Sequence, residues 1–204
     1  MSLLTHTEIA TLLEPYLISP ATPRLISQLA VYLDLLTKWN ARTNLTSVRD
    51  PREIVQRHFG ESLFAARHLP ASSRTLLDLG SGAGFPGLPI AILRPHLQVT
   101  LAEAHQKKAS FLREVARTLQ IPVVIWAARA ESLPPASRFD TVTLRAVDNM
   151  SEAIATAKGL LSPQGCLAIL TTRDMAAPSA QVVALPGTAT RVVSLEMFHV
   201  EHSG

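Results

Sequence analysis

The chain has 204 residues, 47% of them hydrophobic, enough to bury a substantial core in one main domain with an appendage. No apolar run approaches the ~18 residues of a membrane span, and the N-terminal MSLLTHTEIATLLEPYL lacks a basic segment followed by a long apolar stretch, so a cytoplasmic protein without a secretory signal is expected. The net charge of +3 is matched by one window: residues 38–57 hold Lys38, Arg42, Arg49, Arg52 and Arg57 against Asp50 and Glu53, a local excess that suits a phosphate-bearing partner.

The first elements read as helical. Over 23–39, Leu25, Leu29, Tyr32, Leu36 and Trp39 recur at spacings of four and three, with Ile26 and Leu33 widening the stripe, which predicts an amphipathic helix. Asp50-Pro51-Arg52-Glu53 has the form of a helix start, with Asp50 as N-cap, Pro51 at the first helical position and Glu53 two further on. The helices close near Pro70, so residues 1–70 are expected to form an N-terminal helical extension.

From Thr75 the texture changes to alternating strands and helices. Strands are predicted at 75–79, 98–102, 122–127, 140–144 and 166–171, with helices between them, most clearly over 105–119, where Phe111, Leu112, Val115, Ala116 and Leu119 share a face. Nearly all-apolar strands alternating with helices imply a parallel sheet covered on both faces. The tail differs: 181–185 and 191–200 are strand-like around a Pro186-Gly187 turn, which adds a hairpin-like ending and an antiparallel strand. The expected fold is therefore α/β and Rossmann-like, a mostly parallel seven-stranded sheet over 71–204, packed with the helical extension as one unit. The single Cys166 excludes an internal disulfide and a cysteine-cluster metal site, and its apolar run makes it a buried strand residue.

The most informative stretch joins the first strand to its helix: Leu76-Leu77-Asp78-Leu79-Gly80-Ser81-Gly82-Ala83-Gly84-Phe85-Pro86-Gly87. Glycines at this point let the backbone approach a nucleotide-like ligand that a Cβ would block. Gly82 to Gly87 satisfies G-x-G-x-x-G, the dinucleotide signature, whereas Asp78 to Gly84 satisfies D-x-G-x-G-x-G, the spacing of S-adenosylmethionine-dependent methyltransferases. The second frame places its first glycine directly after the strand. S-adenosylmethionine also has no pyrophosphate needing a helix N-terminus, so Phe85-Pro86 is tolerated there. That cofactor is the favoured ligand, with Gly80 and Gly82 in its cradle, and an NAD-dependent oxidoreductase is the alternative.

Three further positions fall at carboxyl ends of strands, where such sheets bind ligands. Glu103, 19 residues after Gly84, is placed to accept hydrogen bonds from the ribose hydroxyls of an adenosyl group. The segment Ala127 to Ser132 belongs beside the adenine, with Glu131 or the neighbouring backbone reading the base edge. Arg145 is placed to contact the cofactor carboxylate or a substrate phosphate, against the plainer reading of a surface ion pair with Asp148 or Glu152. The fourth strand lacks the Asn/Asp-Pro-Pro-aromatic sequence that grips an exocyclic amine, and there is no Cys pair for carbon chemistry. The acceptor is therefore expected to be a nucleophile that already carries a lone pair, such as a ring nitrogen. No firm catalytic residue follows; catalysis by positioning is expected, with Arg145 the candidate.

Lys38-Trp39-Asn40-Ala41-Arg42-Thr43-Asn44-Leu45-Thr46-Ser47-Val48-Arg49-Asp50 resembles the N-terminal helical signature of the glucose-inhibited division protein B (RsmG) family of bacterial 16S rRNA guanine-N7 methyltransferases. Arg57-His58 with Glu61-Ser62, the glycine loop from Asp78 to Pro89, Glu103 with Lys107-Lys108 and Phe111-Leu112, and Arg145-Ala146 are similar to its later blocks. The resemblance spans roughly residues 38 to 147. It implies S-adenosylmethionine as methyl donor and, as acceptor, N7 of a guanine in a small-subunit rRNA loop near the decoding region. It also implies cofactor contacts by Gly80, Phe85, Ala130, Glu131 and Arg145, and 16S rRNA or the small subunit or its precursor as partner; a monomer is expected. With RNA as the substrate, the basic window predicts that the N-terminal helices form one wall of its site, where Arg42 and Arg57 would bind phosphate and a mostly uncharged His58 would stack on or hydrogen-bond a base. Two positions depart from the family pattern: Leu144 replaces a frequent Ser, and Thr171-Thr172-Arg173 replaces a common Lys-Gly. A non-enzymatic RNA- or ribosome-binding protein on the same fold is the remaining alternative.

Overall fold

The computed structural model describes residues 4–198. Its N-terminal layer comprises α1 (His6–Leu13), α2 (Pro23–Thr43) and a continuous helical stretch made of α3 (Pro51–Glu53), a π-helical segment Ile54–Gly60 and α4 (Glu61–His68). Local chemistry sets these boundaries. Thr5 and Glu8 close a capping box on α1. Thr22 caps α2 with Pro23 behind it, and Asn44, at φ 45°, ends that helix in the left-handed conformation an Asn tolerates. Asp50 caps α3 by accepting from the Arg52 N–H at 2.8 Å, as its sequence predicts. The α2 stripe extends four residues past the predicted end and buries Leu25, Leu29, Tyr32, Leu33 and Leu36.

The sheet consists of β1 (Thr75–Leu79), β2 (Gln98–Ala102), β3 (Val123–Trp126), β4 (Phe139–Arg145), β5 (Leu161–Thr172), β6 (Gln181–Ala184) and β7 (Arg191–Met197) in the order β3-β2-β1-β4-β5-β7-β6. Helices α5 (Gly87–Leu93), α6 (Gln106–Leu119) and α7 (Met150–Leu160) connect its parallel part. Strands β1 to β5 are parallel, and β7 inserts antiparallel between β5 and β6. The predicted mixed seven-stranded sheet is thus present. Residues 199 and 200 of the last predicted strand lie outside the described residues. The predicted fifth strand is longer than its apolar run: Leu161 pairs with Phe139 and Cys166 with Thr141 across a register shift, which admits Pro163 and Gly165.

Alternation along β1 divides the core. Leu76 joins the cluster containing Leu29, Tyr32, Phe59, Leu88 and Phe111, so one face of the sheet is covered by the N-terminal helices together with α5 and α6. Leu77 and Leu79 face the other cluster, with Leu144, Ala153 and Ala157. Burying each such leucine contributes roughly 1.5–3 kcal/mol. Leu144, one of the departures from the family pattern, is fully buried there. Cys166 is buried as predicted, and burial pushes its thiol up to about 11. Among the described residues no helix is long and apolar enough to cross a membrane.

Candidate active site

A cavity of about 720 Å³ opens at the carboxyl ends of β1, β2 and β4, bounded by residues 45–48 on one side and by the loops after those strands on the others. Its floor is the glycine loop. The Gly80 and Ser81 N–H groups both donate to Ala102 O at 3.0 Å, and the Gly84 N–H donates to Ser81 O at 2.7 Å. Gly80, Gly82 and Gly84 all have positive φ, a conformation closed to most side chains. Gly87 is required for a different reason: a Cβ there would sit 2.4 Å from Leu101 Cδ2 and 2.7 Å from Asp78 Oδ2.

Asp78, the acid that opens the motif, lies beneath the loop rather than in the cavity. Only 1% exposed, it accepts from Thr143 Oγ1 at 2.7 Å and from the Gly87 N–H at 3.1 Å. Burial raises its carboxyl to about 6, against the opposing pull of those hydrogen bonds. It fastens the loop to β4. Glu103 reaches the cavity and also braces the loop, with Oε2 accepting from the Gly82 N–H at 2.8 Å and Oε1 from the His105 N–H at 2.7 Å. Each oxygen retains a lone pair for a further donor.

Phe85 forms the centre of an aromatic column. Tyr32 stacks on one side at 5.4 Å and His58 on the other at 4.7 Å, and the Tyr32 hydroxyl donates to Ala83 O. The π-helical segment thus brings His58 onto the cavity wall, where its Nε2 lies 2.8 Å from Thr46 Oγ1. Burial, reinforced by Arg145 and Arg57, lowers its imidazole to about 3, so it is neutral near pH 7, as its sequence reading anticipated. Its present stacking partner is Phe85.

Arg145 lines the cavity, but its ion pair is neither with Asp148 nor with Glu152. Its Nη2 donates to Glu61 Oε2 at 2.9 Å and to Arg57 O at 2.6 Å, and Arg191 from β7 pairs with the other oxygen of Glu61. Burial raises the Glu61 carboxyl, while the surrounding arginines favour its charge. The next residue, Ala146, holds φ 48°, an unusual conformation for a side chain with a Cβ and one that clusters at functional sites. Ala130 and Glu131 line the opposite wall, with Glu131 Oε1 accepting from Thr156 Oγ1 at 3.0 Å. Arg57 reaches the cavity while pairing with Glu53 at 2.7 Å. Arg42 is exposed on the last turn of α2, outside the cavity lining. The structure therefore brings Gly80, Gly82, Phe85, Glu103, Ala130, Glu131, Arg145, Arg57 and His58 to one cavity and leaves Arg42 outside its lining.

Sequence reasoning gives neither Tyr32 nor Arg191 a place in the site, and it does not find the partners of Glu61 and Asp78. Glu61 follows Arg57 by one helical turn, a local signal that points to the wrong partner, since Arg57 pairs with Glu53 and Glu61 with Arg145 and Arg191. Arg191 gave none, because its neighbour in space is 130 residues away.

The cavity suits S-adenosylmethionine. The loop leaves space where a Cβ would intrude, Leu79, Ala102 and Ala130 offer an apolar surface for a base, and Glu103 presents acceptors for hydroxyl groups.

A family model described as rRNA small subunit methyltransferase G matches residues 25–186. Ribosomal RNA small subunit methyltransferase G from Xanthomonas euvesicatoria is 44% identical over 156 residues, covering 76% of this chain and 71% of that protein. The protein of the same name from Xylella fastidiosa is 46% identical over 140 residues, covering 68% and 65%. Among solved structures, an O-methyltransferase family protein from Burkholderia thailandensis superposes with a TM-score of 0.58 at 14% identity, covering 87% of this chain and 72% of that one. TYW2 from P. horikoshii, solved in complex with MeSAdo, gives 0.54 at 15% identity, covering 69% and 62%. These two likenesses show the fold.

Proposed function

The chain belongs to the rRNA small subunit methyltransferase G family, and from that premise we propose that it transfers its methyl group to N7 of a guanine in 16S rRNA, acting as a monomer in the cytoplasm. It is a methyltransferase of small-subunit rRNA that uses S-adenosylmethionine. When bound, S-adenosylmethionine supplies an electrophilic methyl on a sulfonium. Guanine N7 carries a free lone pair on the major-groove edge, so no proton has to leave before attack. The site's titratable groups fit that requirement: Asp78 is committed to Thr143 and Gly87, and the unprotonated His58 ring, held at about 3, is too weak a base to take a proton from an amine. This is the observation that carries the choice of a ring nitrogen over an amine.

The remaining residues act by binding and orienting. Gly80 and Gly82 admit the cofactor, Phe85 forms the wall held by Tyr32 and His58, Glu103 accepts from the ribose, and Ala130 and Glu131 border the adenine. Arg145, held by Glu61, presents its guanidinium to the cofactor carboxylate or the substrate. The 1–70 helices form one side of the RNA site, packed as one unit with 71–204. There Arg57 and Arg42 contact phosphate, and His58 offers a neutral ring edge to the base. Holding acceptor and methyl in line lowers the barrier without acid–base chemistry. Incubating the purified protein with small-subunit rRNA and methyl-labelled S-adenosylmethionine, then digesting to nucleosides, should place the label in 7-methylguanosine. Label in any other nucleoside rejects the N7 reading.

A further inference from the structure

The basic window at 38–57 does not remain available as a unit in the folded chain. Arg49 donates to Asn40 O and Asn44 Oδ1 at 2.9 Å, Arg52 pairs with Glu8, and Arg57 pairs with Glu53. Lys38 and Arg42, one turn apart on α2, have no ion-pair partner among the described residues, and both are exposed.

Helix α6 supplies the rest of a ridge. It runs antiparallel to α2: Gln28 Nε2 reaches Leu119 O at 3.5 Å, while farther along α2 Trp39 Nε1 donates to Glu114 Oε2 at 3.0 Å, with the Trp39 and Phe111 rings 5.6 Å apart. One turn beyond that contact the two helices end side by side, with Arg42 on α2 and Lys107 and Lys108 on α6. Neither lysine has an ion-pair partner among the described residues, Lys107 is exposed, and Lys108 lines the cavity. The nearby carboxylate of Glu114 is committed to Trp39. Residues 45–48, which continue from α2, line the cavity too, so the ridge stands directly behind its lip.

Helix stability does not account for this arrangement. The first turn of α6 holds no acidic residue, and cations there oppose the helix dipole by roughly 0.3–1 kcal/mol each. A polyanion crossing the lip reverses the sign of that interaction.

We propose that the ridge formed by Lys38, Arg42, Lys107 and Lys108 binds the phosphates of the single-stranded RNA that flanks the base held in the cavity. The proposal rests on the rRNA reading and specifies the path of the strand: it enters between the end of α2 and the start of α6 rather than along the whole 38–57 segment. Single-stranded rather than duplex RNA is the fitting partner, because a deep RNA major groove would hide the guanine edge that must enter.

The test measures affinity for a small-subunit rRNA transcript across a KCl series, for wild type, the Lys38→Ser/Arg42→Ser/Lys107→Ser variant, and Arg138→Ser as a control at the opposite end of β4. S-adenosylmethionine affinity is measured by calorimetry alongside. The log–log salt slope of the triple variant should fall by about 2, at about 0.7 per phosphate contact for single strands. The control should match wild type, and all three proteins should bind S-adenosylmethionine within about twofold of one another. An unchanged slope in the triple variant, with wild type binding and methylating the RNA, overturns the proposed path. A normal slope on naked RNA with methylation lost only on assembled subunits also overturns it and assigns the ridge to a ribosomal protein. Failure of the wild type to bind or methylate the rRNA at all would instead reject the functional reading beneath it.

Discussion

Glu103 serves both the loop and the ligand in this account, and substituting it separates the two roles. Glu103→Ala removes the acceptor of the Gly82 and His105 N–H groups, bonds of 2.8 and 2.7 Å. Both donors are only partly buried, so water replaces the carboxylate and the folding cost stays near the lower end of the 1–3 kcal/mol range for an abandoned donor. At about 2–4 °C per kcal/mol for a chain of this size, the melting temperature should fall by roughly 2–6 °C. The ligand loses a charged acceptor worth about 1.5–3 kcal/mol per hydrogen bond, which raises the S-adenosylmethionine dissociation constant roughly tenfold to several-hundredfold. Glu103→Gln keeps one acceptor oxygen and should fall between. Calorimetry at a temperature well below both melting points reads the affinity without interference from unfolding. A lower melting temperature with unchanged affinity for Glu103→Ala would refute the ligand role and leave Glu103 as a loop brace alone.

Arg145→Lys keeps the charge beside Glu61 but loses the fork that reaches Arg57 O as well, so initial-rate assays should show methyl transfer falling more than about tenfold while urea unfolding changes by less than the ~3–5 kcal/mol of a broken buried pair. Gly87→Ala drives a Cβ into Leu101 and Asp78 and should cost about 1–3 kcal/mol of stability in denaturant titrations. His58, lowered from 6.5 to about 3, binds its proton less readily folded than unfolded, so its contribution is intact above pH 6.5 and lost as pH falls toward 3, by roughly 5 kcal/mol across the window. His58→Gln should flatten that part of the stability profile. Asp78, raised from 3.8 to about 6, acts in the opposite sense: its favourable contribution is present below pH 3.8 and is lost as pH rises through 6, so Asp78→Asn should remove a decline of roughly 3 kcal/mol over that interval.

Much of this arrangement is legible in the sequence because its signals are local. An apolar run that ends in glycines specifies a strand and a tight loop, and a carboxylate at the end of the next strand must emerge at the same edge of a parallel sheet. Glu103 was found in this way, and the loops after β3 and β4 follow from the same rule. Partnerships set by distant pairing are not legible. Thr143 meets Asp78 only because β4 lies beside β1, and Arg191 meets Glu61 only because β7 inserts beside β5. A charge count along the chain likewise cannot show that Arg49 and Arg52 are occupied by carbonyl and carboxylate groups, or that the start of α6, which carries Lys107 outside the basic window, packs toward the end of α2 that carries Arg42. The π-helical turn that carries His58 to Phe85 has no local signal either, since Val55, Phe59 and Leu63 keep the spacing of an ordinary helix.

The most direct test of the central claim is chemical mapping of N7-methylguanine in small-subunit rRNA from cells with and without this gene, with complementation by the wild type and by Arg145→Lys. One N7-methylguanine should disappear with the gene, return with the wild type and return only weakly with the variant. An unchanged N7-methylguanine map, with methylation lost at another atom or nowhere, would contradict it.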